Sequence, residues 1–111
     1  FFDNLINLIM PKRNFIIILD LTTRIFVFFE NNGKKIYRFV VKLEILINGK
    51  WIEIERFDVY HGFVHKDILD RKGEKKITQK YDMLNFKVGL NFAIEDFRKN
   101  YLLYIRRFSD A

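Results

Sequence analysis

The densest run of chemically capable side chains is Arg56-Phe57-Asp58-Val59-Tyr60-His61-Gly62-Phe63-Val64-His65-Lys66-Asp67, which holds both histidines of the chain. Histidine is the side chain whose unperturbed pKa lies nearest neutrality, so the pair suits general acid–base work or metal ligation. In RNA cleavage, one histidine takes the proton of a 2′-hydroxyl while a second acid protonates the leaving 5′-oxygen. Arg56 or Lys66 would stabilise the charge that builds on the phosphorane. Asp58 would orient His65 and fix its tautomer. No protein nucleophile is needed, which suits a chain without cysteine and with a single serine, Ser109. The expected catalytic set is Arg56, Asp58, His61 and His65.

Two other readings fit the same run. One is a structural turn, with Arg56–Asp67 and Asp58–His65 as cross-strand pairs and Gly62 supplying the bend. The other is a metal site built from Asp58, His61, His65 and Asp67. H-x3-H spacing is helical in most zinc sites, whereas here it falls in a strand or turn, so neither a metal nor another cofactor is expected.

A basic stretch follows. Arg71, Lys72, Lys75, Lys76 and Lys80 accompany only Glu74 between residues 71 and 80, a local net charge of +4. With Lys66 they are the expected nucleic-acid-binding residues, gripping phosphates. The plainer alternative is a solvated hairpin turn. Trp51 and Tyr81 are aromatics able to stack on bases, while Tyr101, Tyr104 and Phe108 form a core stripe.

What positions these residues follows from the rest of the chain. Its 111 residues allow one domain. A composition that is 50% hydrophobic and 17% aromatic excludes intrinsic disorder. No apolar run reaches the roughly 18 residues of a membrane span; Asp20 and Arg24 interrupt the best candidate. The net charge of +6 is compatible with a polyanionic partner. Abundant Ile, Phe, Lys, Asn and Tyr imply AT-rich codons and a prokaryotic source. Phe2, Leu5, Ile6 and Ile9 have helical spacing, ended by Pro11. Because Met10-Pro11-Lys12-Arg13 also reads as a start, residues 1–10 are either an N-terminal helix or an upstream extension. They lack the basic flank and cleavage site of a signal peptide, so a cytoplasmic location and no membrane association are expected.

Residues 14–80 read as an antiparallel β-meander of five to six strands. Phe15–Leu19 and Arg24–Glu30 are β-type runs, and Tyr37 to Ile47 alternates apolar with Arg38, Lys42 and Glu44. Trp51–Asp58, Phe63–Leu69 and Lys75–Gln79 follow. Asn32-Gly33 and Asn48-Gly49 are two-residue hairpin signals, since a type I′ turn needs positive φ at both positions. Past residue 85 the period changes. Leu90, Ala93, Ile94, Phe97, Tyr101, Tyr104, Ile105 and Phe108 recur at three- and four-residue steps, predicting an amphipathic helix over 85–108 with Asn85 as N-cap. Its stretch from Phe86 to Arg107 is about 33 Å long and crosses the sheet. The expected fold is α+β, a meander with a long C-terminal helix packed on one face.

Register then assigns faces. With Asn48-Gly49 as a two-residue loop, Ile45 faces Ile52, Leu43 faces Ile54, Val41 faces Arg56 and Phe39 faces Asp58. Arg56 and Asp58 would lie on the apolar, helix-facing side. A return at Tyr60-His61-Gly62 sets Asp58 opposite His65 and Arg56 opposite Asp67. The other face would carry Ile25, Val27, Phe29, Ile36, Val40, Leu46, Trp51 and Phe57 among Arg38, Lys42, Glu44, Glu53 and Glu55. That face is too apolar to be simply solvated, which points to coverage by the N-terminal segment or to a homodimer or partner interface. One extra residue exchanges the two faces.

The order Tyr37, Asn48-Gly49-Lys50, Arg56-Phe57-Asp58, His61-Gly62, His65, Asp67, then Leu84-Asn85-Phe86 through Ala93-Ile94-Glu95-Asp96-Phe97, looks like a small prokaryotic domain family. More distantly it resembles TumE-like toxin components of toxin–antitoxin pairs. They share a strand ending in an Arg-Tyr-Asp type motif, a nearby histidine pair and a late helix with an Asp-Phe step. The resemblance covers residues 36–108. It departs at Val59, where an Asn often stands, and in the H-x3-H spacing. It implies translation inhibition, by RNA cleavage, with RNA and a cognate antitoxin as partners and Arg56, Asp58, His61 and His65 at the site. The alternative is a non-catalytic dimeric interaction or nucleic-acid-binding module.

Overall fold

The computed structural model describes residues 12–110. Six strands, β1 (Lys12–Asp20), β2 (Thr23–Asn32), β3 (Lys35–Ile47), β4 (Lys50–Asp58), β5 (His65–Leu69) and β6 (Lys75–Lys80), form one antiparallel sheet in sequence order. A helix, α1 (Phe86–Asp110), packs across one face of it. This is the α+β meander with a C-terminal helix that the two hydrophobic periods predict. The expected N-terminal helix or extension at residues 1–10 lies outside the described residues. No helix among the described residues is long and apolar enough to cross a membrane.

Asn48 and Gly49 take φ values of 50° and 78°, so the β3–β4 turn has the positive pair its sequence demands. The β2–β3 turn differs from expectation. Asn32 pairs with Lys35, which makes Gly33-Lys34 the loop, and of these only Gly33 has positive φ. A register shift between Glu30 and Asn31, with Tyr37 as the extra residue of β3, restores the alternation further along.

A second bulge decides the faces. Ile45 pairs with Ile52 and Glu44 with Glu53, but Leu43 pairs with Glu55, leaving Ile54 as an extra residue in β4. Every β4 side chain after it changes sides relative to an unbroken register. Phe57, not Arg56, faces Val41, and Asp58 faces Val40 instead of Phe39. Arg56 and Asp58 therefore lie on the sheet face away from α1, whereas Glu55 and Phe57 point toward it. The expected outer set is corrected in part, here by the pairing of β2 with β3. Ile25 and Val27 pair with Leu43 and Val41, and all four are fully buried on the helix side. Phe29 packs against the same core.

The stripe Leu90, Ala93, Phe97, Tyr104 and Phe108 of α1 is buried on this core. Asn85 caps the helix, its Oδ1 accepting a hydrogen bond from Val88 N at 2.9 Å. Gly89 lets the helix pack tightly at the sheet end, because a Cβ there would sit 2.6 Å from Val64 Cγ2. Val64 is fully buried and β-branched, so it has little room to turn. Helix propensity favours alanine over glycine by about 1 kcal/mol, but overpacking costs about 1–3 kcal/mol. Gly89→Ala is expected to lower the urea midpoint at unchanged m-value; a raised midpoint would contradict this close approach.

Candidate active site

The site begins at the turn after β4. Val59 to Gly62 forms a β-turn closed by Gly62 N donating to Val59 O at 2.9 Å, with Gly62 at a φ of 86°. Asp58 Oδ1 accepts from Tyr60 N at 3.0 Å and locks the entry to this turn. His61 sits exposed at its tip. The chain then returns so that Asp58 pairs with His65 and Arg56 with Asp67, the cross-strand pairs predicted from sequence.

These side chains meet on the open face in a cavity of about 390 Å³ lined by Arg38, Arg56, Asp58, Tyr60, His61, His65 and Lys75. The two imidazole centroids are 5.4 Å apart. Their surroundings differ. His65 is 1% exposed, its Nε2 lies 2.9 Å from Asp58 Oδ1, and its Nδ1 faces Phe63 O at 3.4 Å. His65 thus lies against Asp58, which in turn holds the turn that carries His61. His65 is the buried imidazole of the pair, and His61 is the exposed one. The structure places Asp58 against His65, the contact the sequence reading expects.

Three cations border the cavity. Arg56 is fixed by Glu53, Nε to Oε1 at 2.6 Å, and its NH1 lies 3.9 Å from Asp58 Oδ2. Arg38, 60% exposed at its side chain, stands on β3 beside Val40, the partner of Asp58. The unbroken register hid it, since that register placed Arg38 and Asp58 on opposite faces. Lys75 reaches in from β6, with Nζ 3.5 Å from Asp67 Oδ2. Asp67 is also held by Thr78, whose Oγ1 donates to Oδ1 at 2.8 Å. Asp58, His65 and Asp67 are the group here able to hold a metal ion; His61 is not in it.

Lys66 is not at this site. It is 2% exposed on the helix side, its Nζ 2.9 Å from Glu55 Oε1 and 3.0 Å from Asp96 Oδ2, and 3.8 Å from the Tyr104 ring centroid. Arg107 covers Glu55 from the last turns of α1, and Tyr104 donates its hydroxyl to Asp96 Oδ1 at 2.7 Å. The Asp96-Phe97 step of α1 thus supplies a carboxylate to this network and, through Phe97, an aromatic to the core. An ammonium buried between two carboxylates is closed to a phosphate arriving from solvent, which corrects its expected nucleic-acid role.

The basic run also divides. Lys75 enters the cavity, Lys76 lies on the helix side beside Tyr104 and Arg107, and Arg71 hydrogen-bonds Ser109 O at the end of α1. Lys80 pairs with His65 along the strands, and Lys72 stays on the exposed turn. The run is not one phosphate-gripping surface. Tyr81 packs against Phe57 and Phe92, with centroids at 5.7 and 5.2 Å, and Trp51 lies under Arg24 at 4.1 Å.

A family model described as a domain of unknown function, DUF7718, matches residues 10–111 of the chain. No curated protein and no solved structure matches it.

The helix-side network carries two predictions. Breaking a buried ion pair leaves an uncompensated charge, so Lys66→Met is expected to cost about 3–5 kcal/mol of stability in urea unfolding. The exposed Lys99 pair with Glu95 is the contrast, with Lys99→Met costing below about 1 kcal/mol. Burial, and then the Asp96 carboxylate it bonds, raise the Tyr104 phenol above its ordinary pKa. A phenol raised on folding favours the native state below its unfolded value, and that advantage fades as pH climbs from there. Tyr104→Phe is therefore expected to lose less stability than the parent above about pH 10; parallel pH curves for the two would contradict this linkage.

Proposed function

The chain belongs to the DUF7718 family, and from its open-face cleft we propose that it acts on RNA phosphodiesters, as the toxin of a toxin–antitoxin pair. One observation carries this reading. His61 is exposed at a cavity bordered by Arg38, Arg56 and Lys75, on a sheet face that the helix leaves free. An acid–base group beside convergent cations is what cleavage by an internal 2′-hydroxyl requires.

In this reading Arg38, Arg56 and Lys75 hold the non-bridging oxygens of the scissile phosphate. His61 takes the 2′-hydroxyl proton as the 2′-oxygen bonds to phosphorus. The bond to the 5′-oxygen breaks, and that oxygen takes a proton from water in the open cleft. The products are a 2′,3′-cyclic phosphate and a 5′-hydroxyl. Asp58 and His65 keep His61 in place through the Tyr60 amide, so the four motif residues act as one unit, with His61 and Arg56 touching substrate. The cognate antitoxin would close this cleft.

A non-catalytic dimeric module is the second reading, and one observation favours it. On the edge strand β1, Ile16 and Ile18 are 45% and 68% exposed beside Phe26 and Phe28 of the same open face. A second copy covering this patch would be lost on Ile18→Lys, as sedimentation would show; a monomeric parent removes the reading.

Induced expression in bacteria is expected to arrest growth, and His61→Ala to relieve arrest at an equal level of folded protein. With purified protein, the same variant is expected to slow cleavage about a hundredfold or more. Lys75→Glu should weaken RNA binding and flatten its salt dependence, whereas Lys76→Glu, on the other side of the sheet, should do neither. Normal growth with abundant folded parent protein and intact RNA would overturn the proposal.

A further inference from the structure

Asp58, His65 and Asp67 occupy facing positions of β4 and β5, and one ligand-capable atom of each lies within 4.8 Å of the others. The carboxylate oxygens Asp58 Oδ1 and Asp67 Oδ2 approach His65 Nε2 at 2.9 and 3.6 Å. All three residues are buried, at 7%, 1% and 2% exposure in chain order from Asp58 to Asp67. From these positions we propose a divalent transition-metal site, with Asp58 Oδ1, His65 Nε2 and Asp67 Oδ2 as its three protein ligands.

The argument starts from the imidazole. His65 Nδ1 faces the carbonyl oxygen of Phe63, an acceptor outside the cluster. In the tautomer that keeps its hydrogen on Nδ1, the other nitrogen presents its lone pair. Here the lone pair points at two carboxylate oxygens. Three electron-rich atoms converging in a buried place repel one another unless a proton or a metal cation lies between them. An imidazole whose Nδ1–H is held by a carbonyl while Nε2 ligates is a recurrent arrangement of metal sites.

The outer contacts fit as well. The other oxygen of Asp67 accepts from Thr78 Oγ1, and Asp58 accepts from the Tyr60 amide, so both carboxylates are oriented before any ion arrives. Two carboxylates and a neutral imidazole balance a charge of +2. One nitrogen and two oxygens suit manganese or zinc better than calcium, which takes six to eight oxygens. The cavity reaches both Asp58 and His65, which gives an entry path and leaves coordination positions open to water or a phosphate oxygen. Lys75 and Arg56 are the competing cations, 3.5 Å from Asp67 Oδ2 and 3.9 Å from Asp58 Oδ2; the Lys75 side chain is 59% exposed and free to swing out, and Arg56 meets the oxygen of Asp58 that is not a proposed ligand.

This site goes beyond the RNA reading and is tested without it. Chelator-stripped full-length protein is titrated calorimetrically with manganese chloride and with zinc chloride. One ion per chain is expected, with affinity at least about tenfold weaker in Asp67→Asn and tighter in Lys75→Ala. Should Asp67→Asn fail to fold, manganese added to the labelled parent protein still decides the matter. Its resonances should broaden first at Asp58, His65 and Asp67. Absence of binding by either ion, broadening centred elsewhere, or affinity unchanged in a folded Asp67→Asn would overturn the site. So would a doubly protonated His65 that neither ion displaces, since the cluster would then be a buried ion triplet.

Discussion

Side chains on a strand alternate between two faces, so a single extra residue decides what everything after it can do. In β4 that residue is Ile54. Ahead of it, Ile52 faces the helix. At the bulge Ile54 and Glu55 both turn inward, and beyond it Phe57 is inward and Arg56 and Asp58 are outward. An unbroken register would have pressed Arg56 and Asp58 against the apolar side of α1. Unpaired charges there are costly to bury. The bulge instead lets an aromatic, Phe57, join Phe92 and Phe97 in the core, with ring centroids at 5.9 and 5.2 Å.

The charges of the molecule are consequently sorted into two networks on opposite sides of one sheet. Under the helix, Glu55, Lys66, Asp96 and Tyr104 satisfy one another, and Arg107 closes the edge. This network fixes where α1 sits and is shut off from solvent. On the open face, Asp58 and His65 line a cavity together with Arg38, Arg56, Lys75 and His61, and Asp67, held by Thr78, lies beside His65. Neighbouring residues serve different networks: Lys66 belongs to the first, while His65 and Asp67 on either side belong to the second. The alternation of β5 alone accounts for that division.

The architecture was legible because its signals are periodic. The helix stripe, the Asn48-Gly49 turn, the long alternation of β3 and the pairing of Asp58 with His65 all follow from spacing. What was illegible was the parity of the strands, since nothing in Glu53-Ile54-Glu55 announces which residue is extra. That one uncertainty assigned Arg56 and Asp58 to the wrong face and hid Arg38 from the site. It also left no reason to expect Glu55 as the partner of Lys66. Charge type was an equally poor guide in the run from Arg71 to Lys80, because the hairpin distributes its cations between both faces and the end of the helix.

The phosphodiester-binding cleft proposed for the helix-free face depends on this sorting. It is tested most directly by amide chemical shifts on adding a short single-stranded oligonucleotide lacking the attacking 2′-hydroxyl, which binds without being cut. The account predicts saturable shifts at Arg38, Arg56, Tyr60, His61 and Lys75, with Lys66, Lys76 and Arg107 undisturbed. Shifts confined to the helix side, or none at all, would contradict it.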